Sequence, residues 1–147
     1  MLKSIIAVVV GYIVMAIFAF TVFTGAYFGL GVDRVFEPDS YVISATWIAL
    51  MIVITLVGGI IGGLVCAAIS KSKTTCVVFA VIVFALSLVF ALPSVMKERP
   101  STVRAGDVPN LQAMQLAQPP TWLCLLNPVL AAAGIMLGAR MKKLPTV

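Results

Sequence analysis

Four stretches of this chain, 4–32, 40–70, 74–96 and 108–139, contain no charged side chain. Each holds a run of about 18 or more apolar or nearly apolar residues, long enough for a helix to cross a hydrocarbon core of about 30 Å. The pattern predicts an all-α fold: an integral membrane bundle of four transmembrane helices forming a single domain over 1–147. The expected spans are 5–30, 42–69, 75–92 and 121–139, joined on one side by loops 31–41 and 93–120. At 1.5 Å per residue the first two reach roughly 40 Å, so they tilt or protrude from the bilayer. A short helix from Asn110 to Leu116, capped by Asn110, is expected inside the longer loop, with Leu111, Met114 and Ala117 on one face. Pro120 stands where the last helix starts.

Composition agrees. The chain is 62% hydrophobic and 10% charged, against about 45–50% and about 25% for a soluble domain. The first apolar run, at about 25 residues, is longer than the 7–15 of a signal-peptide core. It has no small-x-small cleavage pattern at its end, so it reads as a retained span.

The net charge of +5 does not point to nucleic acid, because the basic residues form no patch with interleaved aromatics. They read instead as topology signals. Lys3, Lys71, Lys73, Arg140, Lys142 and Lys143 fall on the side of the two termini. Arg34, Lys97, Arg99 and Arg104 fall opposite, spread over the longer loops. The denser positive side is expected to be cytoplasmic. All five acids (Asp33, Glu37, Asp39, Glu98, Asp107) lie on the other side. Tyr27, Phe28, Tyr41, Trp47 and Trp122 stand near the outer span ends, as an aromatic belt would. Trp47, Trp122, Arg140, Lys142 and Lys143 are the expected interface anchors, the last three drawn to anionic lipid.

Helices in lipid do not associate to escape water, so close packing and interhelical hydrogen bonds must hold them. Small residues recur at helical spacing. In the second span Thr55, Gly59, Gly62 and Cys66 share one face, widened by Gly58 and Gly63. In the fourth, Asn127, Ala131, Gly134 and Gly138 repeat that spacing. Gly25 and Gly29 form a further G-x-x-x-G in the first span, and Ala80, Ser87 and Ala91 mark the third. The second and fourth spans run in the same direction, and their glycine faces are expected to pack on each other, on a second copy or on a partner. Asn127, just before Pro128, is the strongest polar residue in the spans. It is expected to satisfy a backbone group freed by the proline or to bridge to Thr55, rather than to hold a ligand.

Candidate chemistry is sparse. There is no histidine and no Cys-x-x-Cys pair, so zinc, haem and iron–sulfur ligation of the usual kinds are not expected. Cys66, Cys76 and Cys124 read as small packing residues. Asp33, Glu37 and Asp39 could form a weak Ca²⁺ site. The plainer reading is a solvated acidic loop in which Asp39 or Ser40 caps the second span. No catalytic constellation and no phosphate-cradling loop is present. The expected cofactor set is empty, the chain is not expected to be an enzyme, and its partners are membrane lipids and other membrane subunits or further copies of itself.

The opening Met1-Leu2-Lys3-Ser4 with Ile5 to Met15, the segment Gly106-Asp107-Val108-Pro109-Asn110 and Leu126-Asn127-Pro128 resemble a group of small bacterial membrane proteins with four predicted spans. The resemblance covers most of the chain. It implies a bacterial cytoplasmic (inner) membrane location and brings no activity or site residue. The functional expectation is an accessory or structural subunit of a larger membrane complex. The alternative is a small homo-oligomeric transporter or channel for a small solute or lipid, with a polar pathway around Asn127, Thr55 and Ser87.

Overall fold

The apolar runs become helices. The computed structural model describes residues 2–96 and 109–142. Its elements are α1 (Leu2–Leu30), α2 (Val32–Val35), α3 (Ala45–Ser70), α4 (Lys73–Met96), α5 (Asn110–Leu116) and α6 (Thr121–Met141). α1, α3, α6 and the part of α4 up to Pro93 are long and apolar enough to cross a membrane. Among the described residues the only β-type pairings are two isolated bridges, Phe36 with Ile43 and Val42 with Gln118.

Local chemistry sets the ends. α3 begins at Ala45, later than the expected 42, because Ser44 is its cap. The Ser44 Oγ accepts from the Trp47 N–H at 3.2 Å, satisfying a first-turn donor, and donates to the Arg34 carbonyl at 2.5 Å. The capping role expected of Asp39 or Ser40 is therefore wrong. The Ser40 Oγ instead accepts from the Val42 N–H at 2.8 Å, within a turn where Asp39 has φ 55°. At its other end α3 stops on Lys71, which is left-handed at φ 53° and donates its N–H to the Ala67 carbonyl at 3.0 Å. Only Lys71 and Ser72 separate α3 from α4. α4 continues past the expected 92 to Met96 with Pro93 inside it. Asn110 does not cap α5, since it is the first helical residue and Pro109 holds the cap position. The Asn110 Nδ2 instead donates to Thr24 Oγ1 of α1 at 3.4 Å.

α3 is the hub. It packs most extensively on α6 and next on α1, while α4 leans mainly on α6. α1 meets α4 at the end that carries α1's start and α6's finish, hereafter the terminal end. There Thr75 Oγ1 donates to Ser4 Oγ at 3.1 Å. Among the described residues the backbones of α1 and α6 stay apart, with no Cα pair within 8 Å.

Two apolar clusters result. One joins Ala7, Cys66, Cys76, Phe79, Val83 and Ile135 toward the terminal end. The other lies at the loop end and joins Tyr27, Val35, Phe36, Ile43, Trp47 and Leu123. The second cluster changes the picture of loop 31–41. Its carboxylates Asp33, Glu37 and Asp39 are exposed, but Val35, Phe36 and Ile43 are at most 2% exposed. The loop folds back over the helix ends, closed on itself by the Glu37 N–H to the Val42 carbonyl and joined to the segment before α6 by the Gln118 N–H to the Tyr41 carbonyl, both at 2.9 Å.

Candidate functional site

Two of the four small-residue faces are built into contacts between backbones. A Cβ on Gly59 would lie 2.7 Å from the Ala131 carbonyl oxygen, and one on Gly134 would lie 2.5 Å from that of Leu56. Carbons do not approach so closely, so α3 and α6 meet at a distance that only glycine permits. Gly63 abuts the Ile135 carbonyl, and Gly138 abuts that of Ile60, in the same way. The six glycines and their neighbours do not share one partner. Gly58 and Gly62 turn toward α1, where Phe18 and Met15 lie against them, and Gly62 faces the Gly11 carbonyl. Adjacent G-x-x-x-G pairs in α3 thus serve different helices.

A Cβ on Gly25 or Gly29 in α1 would have no neighbour within 4 Å among the described residues. Gly11 is a residue the sequence reading missed. A Cβ there would lie 3.1 Å from the Gly62 carbonyl oxygen and 3.2 Å from the ring of Phe79. The signal was present as Ala7 and Gly11, a small-x-x-x-small pair whose Ala7 is fully buried.

Where α1 and α4 diverge, a cavity of about 400 Å³ opens between the long helices. Ala16, the middle residue of α1, and Gly58, near the middle of α3, both line it. Thr55, Ser87 and Asn127 bring it three neutral polar side chains, one each from α3, α4 and α6. Among the described residues no charged side chain lines it. The bridge expected from Asn127 to Thr55 is not made, because Asn127 Oδ1 is buried without a hydrogen-bond partner among the described residues. The next residue, Pro128, sits inside α6 and contributes no N–H to its ladder. A buried acceptor left unpaired costs about 1–3 kcal/mol.

A second cavity of about 320 Å³ lies in the loop-end cluster, lined by Phe23, Tyr27, Phe36, Trp47 and Met51 among others. Trp47, expected as an interface anchor, is instead buried here, with its ring centroid 5.8 Å from that of Phe23. The folded-back loop and α1 cover it. Tyr27 and Tyr41 are buried as well, whereas Trp122 at 53% and Phe28 at 74% remain exposed. In α5 Ala113 turns inward, while Leu111, on the face expected to carry Met114 and Ala117, is exposed. The side chain of Met114 lies outside the described residues.

At the terminal end, Arg140 and Lys142 stand at the finish of α6, and Lys143 lies outside the described residues. They share a third cavity with Lys73. The three cysteines are buried, and none forms a disulfide among the described residues. Among the described residues no three His, Cys, Asp or Glu side chains converge as metal ligands would.

All helix, with four membrane-length apolar spans around a neutral cavity, defines a multi-pass membrane protein. No family model, curated protein or solved structure matches this chain.

Proposed function

We propose that this chain is a non-catalytic subunit of a larger assembly in a bacterial cytoplasmic membrane, with both termini on the cytoplasmic side. The observation that carries the reading is the state of α1. Its most apolar window is 11% buried, against 44% for α6. Its Gly25 and Gly29 leave bare backbone on a face that no other described residue approaches within 4 Å of a Cβ placed there. A glycine pair of this spacing favours close approach of another helix, and none of the other spans of this chain supplies it. The positive terminal end supports the orientation.

Extraction in a mild detergent followed by native mass spectrometry tests the proposal. Recovery with other membrane chains is expected, and a lone monomer would overturn it. For orientation, a cysteine introduced at position 103 is expected to react with an impermeant reagent in intact cells. Protection would reverse the threading.

A second reading is favoured by one specific observation, the gathering of Thr55, Ser87 and Asn127 in one uncharged cavity at mid-helix depth. On that reading copies of the chain pass a small uncharged solute or lipid. Flux of such a cargo into proteoliposomes, lost in Asn127→Leu, would support it. Absence of flux from a purified homo-oligomer would rule it out.

A further inference from the structure

At the terminal end a cleft of about 470 Å³ separates the start of α4 from the finish of α6. Three cations border it: Lys73 from α4, and Arg140 and Lys142 from the end of α6. All three are exposed, and no ion pair to any of them exists among the described residues. The described acids, Asp33, Glu37 and Asp39, belong to the loop end. Lys73 is the first residue of α4, so the positive end of that helix dipole adds to the field. The floor is apolar, with Val77 one turn below Lys73 and Met136 one turn below Arg140. Val77 is 44% exposed, so this floor continues onto the outward surface of the spans.

We propose that this cleft binds the phosphates of an anionic phospholipid, with its acyl chains running along Val77 and Met136, and that it prefers a headgroup with two phosphates to one with a single phosphate. The reasoning is charge and depth. Three like charges around one cleft repel each other until an anion enters, and a dianionic head neutralises more of them. The cations lie at the ends of membrane-length helices, the level at which lipid phosphates stand, and Arg140 offers the planar fork suited to phosphate oxygens. A volume of this size falls in the range of sites for small ligands. A soluble phosphate has the same charge but no use for the apolar floor, so a lipid fits the cleft better.

The full chain in nanodiscs of phosphatidylcholine, doped with either a monophosphate or a diphosphate anionic lipid, is the test system. Lipid retained after mild delipidation is read by native mass spectrometry. The wild type is expected to keep the diphosphate lipid preferentially. Neutralising one cation (Lys73→Gln, Arg140→Gln or Lys142→Gln) is expected to weaken retention about five-fold, and the triple variant about a hundred-fold. Lys71→Gln carries the same charge change at the same end but outside the cleft, and is expected to retain lipid as the wild type does. Equal losses in Lys71→Gln and the cleft variants would overturn the site in favour of diffuse surface attraction. Equal retention of the two lipids would overturn the two-phosphate preference. Displacement of the lipid by millimolar inorganic phosphate alone would overturn the lipid as occupant. The substituted side chains are exposed, and unchanged helical circular dichroism verifies that the fold survives.

Discussion

The α3–α6 seam and the α1 side of the bundle are made of the same residue types and behave in opposite ways. At the seam, Gly59, Gly63, Gly134 and Gly138 let carbonyl oxygens lie where a Cβ would otherwise be. On α1, Gly25 and Gly29 meet no other described residue, and α1 and α4 part to leave the cavity with Thr55, Ser87 and Asn127. The difference teaches that a small-residue motif acquires meaning from what faces it. Where backbone faces glycine, the residue sets the distance between helices. Where nothing does, it leaves a surface.

Substitutions can break this contrast in graded steps. The largest effect is expected from Gly63→Val, whose side chain would collide with the Ile135 carbonyl. With backbone unable to yield as a side chain does, a loss of about 3 kcal/mol or more is expected, read by denaturant titration in mixed micelles. Trp47→Ala is next, at about 3 kcal/mol, because it empties a buried site against Phe23. Trp122→Ala, at 53% exposure, should lie well below it by the same titration. Equal losses for the two tryptophans would contradict the burial of Trp47. Gly62→Ala is expected to cost about 1 kcal/mol, since its Cβ would sit 3.1 Å from the Gly11 carbonyl oxygen and 3.2 Å from Met15. The smallest effect has the opposite sign. Gly25→Ala should stabilise by about 0.5–1 kcal/mol in the isolated chain, as alanine does for glycine inside a helix. The same change would weaken association if another helix occupies that face.

The four long helices were legible because membrane spans need only length and freedom from charge, and both are written residue by residue. Their neighbours were not. Helices apolar on every side give no stripe that says which face turns inward, so Gly58 and Gly59, adjacent in the chain, could not be assigned to α1 and α6 from spacing. Gly11 escaped notice because its small partner is Ala7 rather than a second glycine. The loop at residues 31–44 was read from its acids, while its apolar residues Val35, Phe36 and Ile43 decided how it folds. Ser44 ahead of the helix was a visible cap signal, but the apolar run that starts at Tyr41 masked it. Of the candidate sites, the basic residues of the terminal end were plain. That Lys73 shares a cleft with Arg140 and Lys142 follows from the lean of α4 on α6, which no local pattern encodes.

The pairing of α3 with α6 also has a consequence in time. Gly59 and Gly134 meet across 75 positions of chain (134 − 59), and α6 leaves the ribosome after the other three of these four spans. Until it arrives, α3 waits in the bilayer with half of its glycines facing lipid. Nascent chains stalled before residue 121 thus lack the α3–α6 seam and the α4–α6 contact, and keep only the packing among α1, α3 and α4, a natural stage for quality-control proteases to inspect.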